Sequence, residues 1–261
     1  MVTQRLNFRH RWMLPCCNHS AAWQVNNEGM TIFGAIQHQE DVPIHQEWLH
    51  PVEIKYLNGL KFEKRRKDWL LGRWTSKKLL QQVIFQDFPI NETEIRKGPN
   101  REPMVFFRAE PVSCRLSISH SHSLSFCVLS REERSLGCDL EKVEIRSEGF
   151  IRDYFTNKER SLFDENYRVS FDRDSYFTLL WSAKESVMKA CLTGLSIPAK
   201  NIELIELKGF KADNWSEISM KNLTNNTHYR GSFKVADGFA WVVLAEAGQD
   251  DPGRISLEWV G

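Results

Sequence analysis

Gly137-Cys138-Asp139-Leu140-Glu141 reads as a short strand that carries two carboxylates. Side chains alternate along a strand, so Asp139 and Glu141 point the same way. Leu136, Cys138 and Leu140 then share the opposite, apolar face. A strand with one wet face would leave such acids in solvent. Gly137, however, offers close backbone approach, and a third acid occurs in an equally odd setting. That acid is Glu185, in Trp181-Ser182-Ala183-Lys184-Glu185, with Lys189 one helical turn beyond it. Ordinary Glu–Lys pairing on a solvated face explains Glu185 and Lys189 but not why Trp181 shares their stripe. Three acids without histidine or cysteine ligands favour Mg²⁺ or Mn²⁺ over zinc. With lysines beside them, they suit a divalent cation bound together with a substrate phosphate.

Outward from these motifs, the pattern is a mixed α+β one. His50 to about Phe88 is expected to be helical, and residues 89–111 read as loop with short extended pieces. Strands are expected over Cys114–His120 and Leu124–Ser130, joined by Ser121-His122-Ser123. Thr156-x-x-Glu159 is a capping box opening a helix, and a second helix runs from Ser175 to about Leu192, stopped at Thr193-Gly194. Strands follow at Ile202–Leu207, Ile218–Leu223, Tyr229–Val235 and Phe239–Ala245, the last pair turned by Asp237-Gly238. Met30 to Ile36 reads as a further strand. The order helix, strand, strand occurs twice, which suggests two similar α+β halves, 1–134 and 135–261.

Composition sets bounds on function. The 261 residues hold 35 Lys+Arg against 34 Asp+Glu, for a formal net charge of +1. That leaves no basic excess for general polyanion binding, so nucleic acid is not an expected partner. Cys16, Cys17, Cys114, Cys127, Cys138 and Cys191 show no CxxC pairing, and reduced thiols of a cytoplasmic protein are expected. No run is long enough to span a bilayer, and the first twenty residues lack a continuous apolar stretch, so neither membrane nor signal peptide is expected. Local basic clustering does occur over residues 61–78. There Arg66, Arg73 and Lys77 fall near one line of a helix and form a candidate phosphate anchor.

These pieces in this order resemble the Sfp-type 4′-phosphopantetheinyl transferases. The resemblance spans roughly residues 60 to 205. It rests on Leu70-Leu71-Gly72-Arg73, Leu116-Ser117-Ile118-Ser119-His120-Ser121, the Gly137–Glu141 strand, Tyr154-Phe155-Thr156-Asn157-Lys158-Glu159 and Trp181–Lys189. It implies a pseudo-dimer of two α+β halves with coenzyme A in the cleft between them. It also implies transfer of phosphopantetheine from coenzyme A to a serine of an apo acyl or peptidyl carrier protein, releasing 3′,5′-ADP. Carried over, Asp139, Glu141 and Glu185 would hold Mg²⁺, while Lys184 and Lys189 would contact the diphosphate. Ser119 and His120 would bind phosphate alongside Arg66, Arg73 and Arg101. Asp139, Glu185 and Lys189 would be the catalytic set, with Glu185 or a water that it polarises as base. The family's frequent Gly-Lys-Pro is here Gly98-Pro99-Asn100-Arg101-Glu102-Pro103, which puts Glu102 in the lysine's place and leaves Arg101 to compensate. Val143–Phe163, with Arg146, Arg152 and Lys158, is the expected carrier-docking stretch. A two-half chain can complete its own cleft as a monomer. A catalytically idle coenzyme A or carrier-binding protein is the alternative, and a metal-dependent nuclease or RNA-binding module a more distant one.

Overall fold

The computed structural model describes residues 30–192, 197–210, 213–248 and 256–260. The expected helix stop at Thr193-Gly194, the N-terminal leader reading, Cys16 and Cys17 lie outside them. The first part of the chain comprises β1 (Thr31–His38), α1 (Pro51–Asn58), α2 (Glu63–Val83), β2 (Thr93–Lys97), β3 (Pro103–Phe107), β4 (Glu110–Pro111), β5 (Arg115–Ser121) and β6 (Leu124–Ser130). The second comprises β7 (Leu136–Lys142), α3 (Glu148–Tyr154), α4 (Asn157–Leu162), α5 (Arg173–Ala190), β8 (Ile202–Lys208), β9 (Ser216–Asn222), β10 (Thr227–Ala236), β11 (Phe239–Glu246) and β12 (Ser256–Trp259). One sheet has the order β12-β1-β6-β5, a second β7-β11-β10-β9-β8, and a small third β2-β3-β4.

Both expected hairpins form. His122 and Ser123 supply the left-handed residues of the β5–β6 turn, and Asp237 and Gly238 those of the β10–β11 turn. The expected long helix from His50 is two helices. α1 ends at Asn58, and the Arg66 guanidinium donates to the Leu57 carbonyl at 2.5 Å, satisfying a helix end that would otherwise lack a partner. The stretch 89–111 is more regular than its prolines suggest, since Pro103 and Pro111 sit at strand ends. β12, from the far end of the chain, pairs in parallel with β1 and so joins the first sheet.

The two larger sheets meet where β5 lies beside β7. Ser117 Oγ accepts from the Cys138 amide at 3.0 Å, and Ser119 Oγ from the Leu140 amide at 3.3 Å. The alternating serines of Ser117-Ile118-Ser119 thus satisfy backbone donors of β7. Phe126 and Val128 of one sheet pack with Leu136, Cys138, Leu140 and Trp241 of the other. Two further cores lie beneath the long helices, one with Leu79 and Leu80 of α2 and one with Leu179, Leu180 and Val187 of α5.

Each long helix is locked by one buried lysine. Lys77 of α2 donates to Glu53 at 2.7 Å and to the Trp48 carbonyl at 3.1 Å. The same carboxylate accepts from the His50 and Ile95 amides. Lys184 of α5 donates to Glu159 at 2.9 Å and to the Ala199 and Ile202 carbonyls. Glu159 in turn accepts from the Thr156 and Leu204 amides. In both places an acid at the third position of a capping box reaches a helix lysine and a strand amide. Breaking such a buried pair typically costs about 3–5 kcal/mol.

Candidate active site

Gly137 decides how closely α5 can lie on β7. A Cβ at that position would stand 1.9 Å from the Ser186 carbonyl oxygen and 2.8 Å from the Ala190 amide nitrogen. Only glycine permits this approach. It presses the face carrying Asp139 and Glu141 against the helix face carrying Glu185 and Lys189. One oxygen each from Asp139, Glu141 and Glu185 then lies within 4.8 Å of the others. The acid face of the strand is therefore largely covered: Asp139 is only 2% exposed and Glu141 is half-buried.

The surroundings of Asp139 are well defined. Its Oδ1 accepts from Lys189 Nζ at 2.8 Å and from Ser119 Oγ at 2.8 Å. Lys189 also donates to the Cys138 carbonyl at 3.0 Å. Oδ2 is buried and has no hydrogen-bond partner. Burial, and then the charge of Asp139, push the Glu185 carboxyl up to about 7 from its ordinary 4.5. The same two causes raise Glu141, against the pull of Arg146. Burial lowers Lys189, but Asp139 and its other neighbours outweigh this, so its pKa is raised and it stays an ammonium ion. An unpartnered buried oxygen amid crowded carboxylates is an environment that a hard cation would relieve. The donor set fits Mg²⁺ or Mn²⁺.

Beside this cluster opens a cleft of about 810 Å³ between α1, α2, the small sheet, β5 and the end of α5. Lys189, Arg73 and Arg101 line it, as do Lys97, Arg96 and Arg115. The acid trio is not part of its wall. Lys189, about a third exposed, is the link, since it lines the cleft and binds Asp139. Arg73 lies 4.7 Å over the Trp69 ring, and its Nε is 3.6 Å from Glu53.

Several expected contributors are placed differently. Lys184 is fully buried in the Glu159 lock, so it has no open face for a phosphate. Arg66 is occupied with the end of α1 and is not among the residues lining the cleft. Lys77 is sealed against Glu53, which divides the basic line expected along α2. Ser119 orients Asp139 through its hydroxyl. His120 is exposed on β5, within electrostatic reach of Asp139 and Lys189. Glu102 folds back on its own turn, accepting from the Asn100 amide at 2.9 Å. Arg146, assigned from sequence to carrier docking, lies in the site instead, with Nη2 3.5 Å from Glu141. Trp181 packs edge-on against Phe150 and Tyr154, which ties α3 to α5.

The fold and the carboxylate trio define an α+β protein with a crowded acid cluster beside a cleft lined by both basic and acidic side chains. Comparison with known proteins finds similarity over part of the chain. Residues 135–240 match the family described as the 4′-phosphopantetheinyl transferase superfamily. The chain is also 28% identical over 122 residues to the 4′-phosphopantetheinyl transferase ffp of Bacillus subtilis, a match covering 46% of this chain and 51% of that protein. The chain thus spans about half the length of that relative. Residues 135–240 are thus similar to that superfamily, in agreement with the resemblance carried by the motifs.

Proposed function

We propose that this chain moves 4′-phosphopantetheine from coenzyme A to a serine hydroxyl of an apo acyl or peptidyl carrier protein. The single observation that carries this is the trio itself: three carboxylates within 4.8 Å, with an orphaned buried oxygen and a lysine that opens onto the cleft. In the reaction the serine oxygen bonds to the phosphorus bearing pantetheine, and the bond from that phosphorus to the bridging oxygen breaks. 3′,5′-ADP departs, and the serine proton passes to a water held against Glu185.

Asp139, Glu141 and Glu185 would hold Mg²⁺ or Mn²⁺, which when bound supplies charge neutralisation at the diphosphate. Lys189 neutralises the same diphosphate from the cleft side, and Ser119 keeps Asp139 in place. Arg73 and Arg101 draw the phosphates of coenzyme A along the cleft, with His120 at the neighbouring strand end. Little covalent help is required, because positioning and electrostatics supply most of the rate in phosphoryl transfer. The two helix-on-sheet layers are read as similar halves, 1–134 and 135–261, with β12 returning to the first sheet, acting as a monomer in the cytoplasm. Carriers, which are acidic helical bundles, would dock near α3 against Arg152 and Lys158, with Ile145 and Tyr154 exposed on the same stretch of chain.

The test is incubation with coenzyme A, Mg²⁺ and a panel of apo-carriers, read by intact mass. A gain of one phosphopantetheine is expected, and Asp139→Ala or Glu185→Ala should reduce the rate at least about a hundredfold. Near-normal turnover of either variant would refute the site. Tight coenzyme A binding with no modified carrier would point to an idle binding protein.

A further inference from the structure

Arg146 is the cation that the sequence does not assign to the site. It follows β7 after a short connection and turns back over the acids. Its Nη2 stands 3.5 Å from Glu141 Oε2, and its side chain is 16% exposed. Nε reaches Thr178 Oγ1 at 3.5 Å, and the guanidinium lies 5.1 Å from the centre of the Phe150 ring. Its own carbonyl accepts from Arg173, which also binds Glu148. Nη2 is buried and has no hydrogen-bond partner, so its main interaction is charge with charge. That charge acts on Glu141 and Glu185 together.

With all three acids ionised, Lys189 and Arg146 cancel two of three negative charges. A divalent ion arriving alone would turn this small negative balance positive and would compete with Arg146 for Glu141. A divalent ion arriving with a diphosphate brings the negative charge that the extra cations need. We propose that Arg146 is a built-in counter-cation that makes divalent-cation binding at the trio depend on a diphosphate ligand. This rests on the functional reading above and adds to it an order of loading, in which cation and diphosphate enter together.

The experiment measures Mn²⁺ binding by electron paramagnetic resonance, with and without coenzyme A, for the wild type, Arg146→Met and Arg146→Lys. Wild type should hold Mn²⁺ weakly alone and firmly with coenzyme A. Arg146→Met should bind Mn²⁺ alone roughly tenfold more tightly, with its dependence on coenzyme A reduced by a similar factor. Arg146→Lys keeps the charge and should follow wild type. Circular dichroism and melting verify folding, and Arg146→Gln carries the same expectation should the methionine variant fail to fold. Unchanged or weaker Mn²⁺ binding by the charge-removing variants, in the absence of coenzyme A, would overturn the proposal. Failure of wild type to hold Mn²⁺ even with coenzyme A would instead overturn the cation site, and the functional reading with it.

Discussion

Gly137→Ala is the sharpest structural test of how the acids are brought together. The new methyl carbon would stand 1.9 Å from the Ser186 carbonyl oxygen and 2.8 Å from the Ala190 amide, both backbone atoms of α5. Real contacts of this kind do not fall below 3.0 Å, so helix and strand must separate by roughly 1 Å. Glu185 and Lys189 ride on that helix. The 2.8 Å bond from Lys189 to Asp139 would stretch beyond hydrogen-bond range, and the 4.8 Å trio would spread. A misplacement of about 1 Å can cost about a hundredfold in rate. Overpacking of this kind costs about 1–3 kcal/mol, or roughly 2–12 °C in Tm for a chain of this size. Gly149→Ala is the control, since a Cβ there meets nothing closer than 3.8 Å. It sits inside α3, so alanine should be neutral or stabilising by up to about 1 kcal/mol. Carrier modification followed by mass, with melting curves on the same samples, measures both effects. A Gly137→Ala variant with wild-type turnover and Tm would show that close approach of α5 to β7 does not build the site.

Lys184→Met should leave Glu159 buried and uncompensated, costing about 3–5 kcal/mol, or on the order of 10 °C in Tm. The coenzyme A KM of the folded fraction should hold steady; an unchanged Tm with a raised KM would restore Lys184 to the phosphates. Burial pushes the Cys127 thiol up to about 11 and Cys138 up to about 12, from an ordinary 9.0. A raised thiol pKa means that the folded state keeps the proton, so both should resist a thiolate-specific reagent at pH 8 until the chain unfolds. Rapid labelling of either in native protein, mapped by peptide mass, would contradict their placement.

The acid trio was legible because two periodicities carry it. Alternation aligns Asp139 with Glu141, and helical spacing aligns Trp181, Glu185 and Lys189. Their convergence was expected from the donor chemistry, but its register was not legible, since it depends on where Gly137 meets a helix about fifty residues away. Lys184 was misread because it is the chain neighbour of Glu185. On a helix, adjacent residues point about 100° apart, and Lys184 shares its face with Leu180 and Val187, both fully buried. That spacing, with the capping-box acid Glu159 as partner, was the available signal for an interior lock. Arg146 gave no such signal, since it lies outside any periodic segment and its approach to Glu141 depends on how the chain turns after β7. The small sheet was hidden by Pro103 and Pro111 and by a two-residue strand, too short for alternation to register.

The two lysine locks also bear on why the two long helices carry opposite charges beside them. Trp74-Thr75-Ser76-Lys77-Lys78 and Trp181-Ser182-Ala183-Lys184-Glu185 place tryptophan and locked lysine in the same frame on their helices. Each lysine closes onto an acid from a capping box, so each helix is fixed against its own sheet by the same kind of contact. The residue after the lock is where the two differ. In α5 it is Glu185, facing Asp139; in α2 it is Lys78, lying 5.8 Å from the Trp74 ring centre. A cation at that position of α2 is poorly suited to gathering a hard metal ion, yet it fits a helix whose Arg73 lines the cleft. One frame therefore serves opposite charges: the lock holds each helix rigid, and the side chain beside it decides whether that helix presents an acid or a base.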